Sequence, residues 1–314
     1  MTNKAESLWS ESILAIRLRL SGRRIRNFAS LFSESRIGVL GLCGIGFFCL
    51  LAALHPVLLR TVWDPSVYDP LTPSRPNPPP NPAPPSAVHW LGTDPYGSDV
   101  LSQLMYGAGS ALLLGTVAAA VTVVLATGVG AAAAYFGGAL DAFFMRLADL
   151  ILMTPLLVIL IFLSTFFDLQ LLHLAVWIGI FAGLGGTVLV VKAQALTIRS
   201  RTYIDAARAG GGSDGYILLR HVIPHLAPVS FLYMMFTVTE AVFSEAVLSY
   251  FGLINVKITW GMMIHTAAAS GYLLRPEIWW LVLPAGASIT LLCSSFYLVG
   301  RALDGIVHPR LRTR

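Results

Sequence analysis

The sequence has 314 residues, of which 56% are hydrophobic and 12% are charged, and its net charge is +5. Soluble globular proteins carry about 25% charged residues. Half of that share, with a mean hydropathy of +0.73, excludes an ordinary soluble domain and predicts a protein that lies mainly in lipid. The cysteines (Cys43, Cys49 and Cys293) lie in apolar runs without a CxxC pair, which argues against a disulfide framework or a zinc site.

Six apolar stretches are long enough to cross a membrane, because a hydrocarbon core of about 30 Å requires about 20 helical residues. They cover residues 37–59, 108–136, 144–167, 171–191, 226–248 and 278–298. The predicted fold is therefore an all-α membrane protein with six transmembrane helices.

The 21 basic residues are divided unevenly between the two sides of this arrangement. Seven precede the first span, five lie between the fourth and fifth spans, four lie in the tail, and Arg146 is on the same side. The other side holds Arg60, Arg75, Lys257 and Arg275. Because cytoplasmic loops are enriched in Lys and Arg, both termini are predicted to be cytoplasmic. Topology thus accounts for the positive charge, and no nucleic-acid partner is predicted.

The spans divide the chain into five parts. These are a cytoplasmic N-terminal segment (1–36), the first span (37–59), an external segment (60–107), a core with five spans (108–300) and a cytoplasmic tail (301–314). The first apolar run is too long for the core of a signal peptide, so an uncleaved span is predicted.

Two segments outside the core allow more than one interpretation. Trp9, Ile13, Ile16 and Leu20 share one helical face, which suits a helix in the membrane interface, but a frayed polar tail fits equally well. The Pro-rich stretch from Trp63 to His89 favours extended, polyproline-like chain. It is interpreted as a rigid spacer, with a docking surface for an external partner as the alternative.

Motifs for catalysis are absent or lie in an unsuitable context. The sequence has no Gly-Lys dipeptide, so it has no GxxxxGK[ST] phosphate loop and is not predicted to hydrolyse ATP. Residues 211–215 fit GxSxG and residues 210–215 fit GxGxxG, but both motifs need a preceding strand, whereas helix is predicted there. We predict no catalytic residue, metal site or cofactor in this chain; the alternative is a membrane enzyme that uses Ser213 or intramembrane carboxylates.

The loop of residues 199–225, between the fourth and fifth spans, is predicted to fold as helix, turn and helix. Thr202 and Asp205 have the spacing of a capping box, which starts a short helix. Gly210–Gly212 are predicted to end that helix, and Ser213 and Asp214 to cap a second one.

The second predicted helix covers residues 216–221, and Pro224 and Pro228 mark the approach to the fifth span. The apolar face of the first helix is formed by Tyr203, Ile204 and Ala207. Such a face suits the groove of another protein, although an ordinary amphipathic connection fits equally well.

This loop resembles the EAA loop of ABC importer permeases, whose pattern is Glu-Ala-Ala, three residues, Gly and a later Pro. Here the residues are Asp205-Ala206-Ala207, then Arg208-Ala209-Gly210, then Gly211, with Pro224 downstream. Asp205 keeps the charge of the usual Glu, whereas Gly210 stands where a larger residue is usual. The resemblance implies a coupling helix that docks on an ATP-binding subunit, with these contact residues: Tyr203, Ile204, Asp205, Ala206, Ala207, Arg208, Gly211 and Pro224.

Further segments are similar to the C-type subunits of dipeptide and oligopeptide permeases. They are Leu91–Gly115, Tyr135–Pro155, Glu245–Leu253 and His308–Arg312. The resemblance implies a type I ABC importer permease bundle in a prokaryotic inner (cytoplasmic) membrane. The implied partners are a second homologous permease, one or two ATP-binding cassette subunits that hold ATP and Mg, and an extracellular or periplasmic solute-binding protein.

The resemblance implies peptide cargo, but the sequence departs from the pattern. Ser98, Gln103 and Gly109 stand where this branch usually has arginines, and the segment INVKITWG after Leu253 is divergent. Nickel complexes, glutathione and oligosaccharides therefore stay open as cargo. A stand-alone secondary transporter or channel is an alternative from another class, but it leaves the EAA-like loop unexplained.

Four charged residues lie within or at the ends of the predicted spans, where each costs about 2.5–3.5 kcal/mol near the bilayer centre. Arg146 and Asp149 are three residues apart and are predicted to form a structural ion pair. Glu245 is predicted either to line an outer gate or to bond to backbone. Glu240 is predicted to contact a polar substrate in the pathway.

Small residues recur at four-residue spacing in the second span: Ala118, Thr122, Ala126, Gly130 and Ala134. Such a face permits close helix contact, either inside the chain or against a second permease.

Overall fold

The computed structural model describes residue 32 and residues 35–71 and 82–307. The predicted interfacial helix around Trp9, residues 72–81 of the Pro-rich stretch and the His308–Arg312 segment lie outside the described residues.

The described part of the chain is helical and contains no strand. Its α-helices are α1 (Arg36–Thr61), α2 (Pro65–Tyr68), α3 (Val100–Phe136), α4 (Gly138–Met153), α5 (Leu156–Phe166), α6 (Leu171–Leu184), α7 (Gly186–Arg199), α8 (Thr202–Ala209), α9 (Asp214–Ile217), α10 (Ile223–Tyr250), α11 (Trp260–Ala269) and α12 (Leu283–Val307). A π-helical turn (Leu218–Val222) joins α9 to α10, and a 3-10 helix (Pro276–Leu281) precedes α12.

Four of these helical stretches are long and apolar enough to cross a membrane, and the number rises to six if two bent pairs each form one span. The four are α1, α3, the continuous helix Asp214–Tyr250, and α12. The bent pairs are α4 with α5, at 89°, and α6 with α7, at 43°. All six predicted stretches thus lie on helices, but two of them are broken.

Two helices begin at residues other than the predicted starts of their spans. The helix of the second span starts at Val100 rather than Ala108 because Asp99 caps it, its Oδ1 accepting from Ser102 N at 2.8 Å. The last helix starts at Leu283 rather than residue 278, since the chain before it forms the 3-10 helix. The predicted external segment 60–107 therefore ends in helix.

Helix α3 lies at the centre of the bundle and packs against α1, α6, α7 and α10, while α12 packs against α1 and α10. The small-residue face of α3 is buried within the chain. A Cβ added at Gly179 of α6 would lie 2.7 Å from the Ala118 carbonyl oxygen, and Thr122 Oγ1 donates to the Gly179 carbonyl at 3.1 Å. The small-residue face therefore packs inside the chain, which was one of the two predicted alternatives, and not against a second permease.

Candidate functional site

The first helix of the predicted loop is present as α8, and it begins at Thr202 as expected. The capping-box prediction is wrong, however, because Thr202 is the first helical residue and Arg201 occupies the N-cap without a side-chain hydrogen bond. A capping box needs its Ser or Thr one position earlier. The acidic residue at position 205 instead lies in the first turn, where it opposes the positive end of the helix dipole.

The glycine cluster ends α8 as predicted. Gly211 has a φ of +82°, a conformation that glycine adopts without strain. The backbone N–H groups of Gly210, Gly211 and Gly212 donate to the carbonyls of Ala206, Arg208 and Ala207, respectively. Helix α8 precedes the GxSxG match, so the context of a nucleophile elbow is missing. Ser213 is instead a helix cap, its Oγ accepting from Tyr216 N.

The predicted separation between the second helix and the fifth span is wrong. Helix α9, the π turn and α10 form one continuous helix from Asp214 to Tyr250. Pro224 has no N–H to donate. The wide turn just before it, in which Ile223 N–H donates to the Leu218 carbonyl, carries the helix through that point. We call residues 202–222 the hairpin.

The hairpin is fixed to the bundle by two isoleucines. Ile204 of α8 and Ile217 of α9 are both fully buried. They belong to one apolar cluster with residues of α3, α7 and α10, and Ala207 packs against this cluster. Of the two alternatives for the apolar face of α8, the burial of Ile204 supports the ordinary amphipathic connection at that residue, while Ala207 is half-buried beside it.

Tyr135, at the end of α3, is a polar contact between the hairpin and the bundle. Its Oη donates to Asp214 Oδ1 at 2.6 Å and accepts from Arg208 Nη2 at 3.4 Å. The hydrogen bond with Tyr135 raises the pKa of the Arg208 guanidinium above its ordinary value. Arg199 adds a further contact by donating from Nη1 to the Ala134 carbonyl at 2.8 Å. No sequence motif marks Tyr135 as a contact of this loop.

The opposite side of α8 is largely exposed, although the Tyr203 ring lies 5.7 Å from the ring of His225 and 6.4 Å from that of His221. Asp205 and Ala206 are exposed, and Tyr203 retains 40% of its exposure. Asp205 Oδ1 lies 3.8 Å from Arg208 Nη1, an exposed pair that contributes little to stability. The exposed surface of the hairpin at α8 is therefore acidic and formed by small residues.

A second candidate region is a cavity of about 430 Å³ where the two broken spans meet α10. Its lining comes from the α4–α5 break, the α6–α7 break and one side of α10. Glu240 is exposed and lines this cavity, and it has no hydrogen-bond or ion-pair partner among the described residues. We call this space the Glu240 cavity.

Glu245, little more than one helical turn from Glu240, has a different environment. It is 4% exposed, and its Oε1 accepts from Ser249 Oγ at 2.5 Å. Ser249 Oγ also lies 3.3 Å from Thr259 Oγ1, and Thr259 caps α11 by accepting from Met262 N. Glu245 thus belongs to a buried polar network that joins the end of α10 to α11.

The predicted ion pair between Arg146 and Asp149 does not occur among the ion pairs of the described residues. Both residues are exposed on α4, where pairing would contribute little. The ion pair of this helix joins Asp141 Oδ1 to Lys192 Nζ of α7, at 2.5 Å. The sequence offers no signal for it, because the two residues are 51 positions apart.

Comparison with known proteins identifies the family to which this chain belongs. Residues 125–313 match the family described as "Binding-protein-dependent transport system inner membrane component". The chain is 31% identical over 231 residues to the dipeptide transport system permease protein DppC of Bacillus subtilis, which covers 73% of this chain and 71% of that relative. It is 29% identical to the oligopeptide transport system permease protein OppC of Escherichia coli K12, over 94% of this chain and 95% of that relative. The chain therefore belongs to the family of inner membrane components of binding-protein-dependent transport systems.

Proposed function

We propose that this chain is a permease subunit of an ATP-driven importer of di- or oligopeptides in a prokaryotic inner membrane. The names of its relatives, which are dipeptide and oligopeptide transport permeases, support the peptide cargo. We further propose six spans with both termini in the cytoplasm, which the uneven distribution of basic residues supports. ATP and Mg are then bound by partner subunits and not by this chain.

The observation that carries the proposal is the hairpin. Its buried side fixes it to α3, α7 and α10, while Asp205 and Ala206 are presented outward. A rigid element of this kind transmits the motion of a docked ATP-binding subunit directly to the helices on which it rests. In this assignment Tyr203, Asp205, Ala206 and Arg208 contact the partner. Ile204, Ala207 and Gly211 shape the hairpin, and Pro224 lies at the start of α10, directly after it.

The translocation pathway is assigned to the face of the bundle that carries Glu240. A second homologous permease covers this face, so the pathway runs between the two chains. A solute-binding protein delivers cargo at the opposite end of the bundle from the hairpin. Glu245 has a structural role within the polar network of Ser249 and Thr259.

Co-purification of tagged protein from its host in mild detergent, followed by mass spectrometry, tests the proposal. The test variant is Asp205→Arg with Ala206→Glu, which alters the exposed side of α8 and leaves Ile204 in place. The control is Glu277→Arg, which reverses one exposed charge in the 3-10 helix before α12.

We expect wild type and the control to carry ATP-binding subunits and a second permease, and the hairpin variant to lose only the ATP-binding subunits. Retention of those subunits by the hairpin variant contradicts the coupling role. A wild-type chain that purifies without any ATP-binding subunit contradicts the importer assignment itself.

A further inference from the structure

We infer that the Glu240 cavity is a binding site for a cationic group of the cargo, such as the α-ammonium group of a peptide. This inference rests on the proposed function and assigns a chemical specificity to its pathway. Of the described residues that line the cavity, Glu240 alone carries a charge. The others are apolar, aromatic or hydroxyl-bearing.

In the proposed six-span topology, with the end of α10 at the outer membrane surface, the position of Glu240 places its carboxylate deep in the membrane. Helix α10 ends at Tyr250, and ten residues at 1.5 Å each put Glu240 about 15 Å below that end. This is about half of the 30 Å hydrocarbon core. A carboxylate that remains exposed at such a depth is costly and needs a water-filled space or a cationic partner.

The backbone around Glu240 also indicates a space that contains water. The α4–α5 break at Thr154 and Pro155 and the α6–α7 break at Gly185 both line the cavity. Non-helical backbone at membrane depth is tolerated where it is buried in protein or lines an aqueous cavity, because free N–H and C=O groups cost several kcal/mol each in lipid. Two independent breaks and one carboxylate converge on this cavity.

The chemistry of the lining favours an ammonium ligand. Phe181, Tyr233 and Phe236 contribute aromatic rings, which attract cations. Thr154, Thr187 and Thr237 contribute hydroxyl groups that accept hydrogen bonds. The described lining has no Lys, Arg or His to hold a carboxylate of the ligand. An α-ammonium group and a lysine side chain both carry the ammonium that this lining attracts.

Equilibrium dialysis with the purified importer complex, without solute-binding protein, tests the inference directly. Three probes are compared: trialanine, N-acetyl-trialanine, and N-acetyl-Ala-Lys-Ala. The variant is Glu240→Gln, which has nearly the same shape without the charge. The control is Glu277→Gln, an exposed acidic residue of the 3-10 helix before α12.

In wild type and the control, we expect trialanine to bind about tenfold more tightly than its acetylated form, as one charge-assisted hydrogen bond provides. In Glu240→Gln, we expect trialanine binding to weaken to the level of N-acetyl-trialanine, whose own affinity stays unchanged. The lysine peptide shows which cationic group binds. Its affinity equals that of trialanine if any cationic group of the cargo fits, and that of N-acetyl-trialanine if only the α-ammonium group fits.

Equal affinities of wild type for the first two probes overturn the inference, as does an equal loss for both in the variant or no trialanine binding at all. Loss of the second permease from the Glu240→Gln complex also overturns it, because Glu240 then pairs with a cation of that subunit. These failures leave the proposed function intact if the wild-type complex still contains ATP-binding subunits and imports peptides.

Discussion

The hairpin and the Glu240 cavity both contain irregular backbone, but they differ in whether the nearby polar groups find partners within the chain. In the hairpin, the N–H groups of all three turn glycines have carbonyl partners, and Ile204 and Ile217 are fully buried. In the cavity, two helices are broken side by side and the Glu240 carboxylate has no partner among the described residues. The polar groups of the hairpin turn thus have partners within the chain, whereas the carboxylate of the Glu240 cavity has none among the described residues.

This difference separates two kinds of functional surface. A surface that transmits force has to be rigid before its partner docks, and burial of Ile204 against three helices of the bundle supplies that rigidity. A surface that passes cargo has to accept different molecules in turn, so it cannot satisfy its own polar groups permanently. The two regions thus suit the coupling and pathway roles proposed for them.

The largest expected effect comes from detaching the hairpin with Ile204→Ala. Truncation of a fully buried isoleucine lowers the free energy of unfolding by about 2–5 kcal/mol. Because the loosened hairpin no longer moves with α3 and α7, we also expect cargo-stimulated ATP hydrolysis to fall. Thermal unfolding and ATPase assays of the assembled importer measure the two effects.

The matched control for this variant is Leu219→Ala, since Leu219 lies on the same hairpin but is 68% exposed. It is expected to change stability by less than about 0.5 kcal/mol. Equal effects of the two substitutions contradict the view that burial of Ile204 holds the hairpin in place.

A smaller effect is expected from substitution at a break beside the Glu240 cavity. In Gly185→Ala, the added Cβ lies 2.7 Å from the Phe181 carbonyl oxygen and 3.0 Å from Ile151 Cγ2, so the break has to shift. Overpacking of this kind costs about 1–3 kcal/mol. Thermal unfolding measures the cost, and peptide uptake reports on the shape of the cavity.

Gly186→Ala is the neighbouring control, because its added Cβ meets only Leu152 Cδ2, at an ordinary 3.6 Å. Wild-type stability and uptake are expected. If Gly185→Ala behaves in the same way, the geometry of the break is not important for the cavity.

Apolar length and composition were enough to locate the four to six helical stretches that could cross a membrane, because 20-residue apolar runs have few alternatives. They were not enough to locate the breaks, since Pro155 and Gly185 occur among other glycines and prolines that do not interrupt a helix. Pro224 and Pro228, for example, both lie within α10. Helix α11 was missed because its ten residues are too few to stand out as a span.

The candidate site was predicted in part for a similar reason. The spacing of the glycines and of Ser213 is local, and the turn and its cap follow from it. Which side of α8 is buried depends on residues more than 60 positions away, such as Ala134 and Tyr135. Likewise, the sequence left open whether Glu245 lines a gate or bonds to backbone, and only the fold shows that it bonds to Ser249 beside Thr259.

The smallest expected effect isolates the polar contact between hairpin and bundle. Tyr135→Phe removes the hydroxyl that donates to Asp214 and accepts from Arg208, but keeps the buried ring. We expect a loss of about 0.5–1.5 kcal/mol in unfolding free energy, the usual net value of a hydrogen bond. Tyr216→Phe is the control, since Tyr216 is 54% exposed on the same hairpin. If the two variants unfold at the same temperature, burial of Ile204 and Ile217 alone positions the hairpin, and the hydroxyl of Tyr135 has no part in its rigidity.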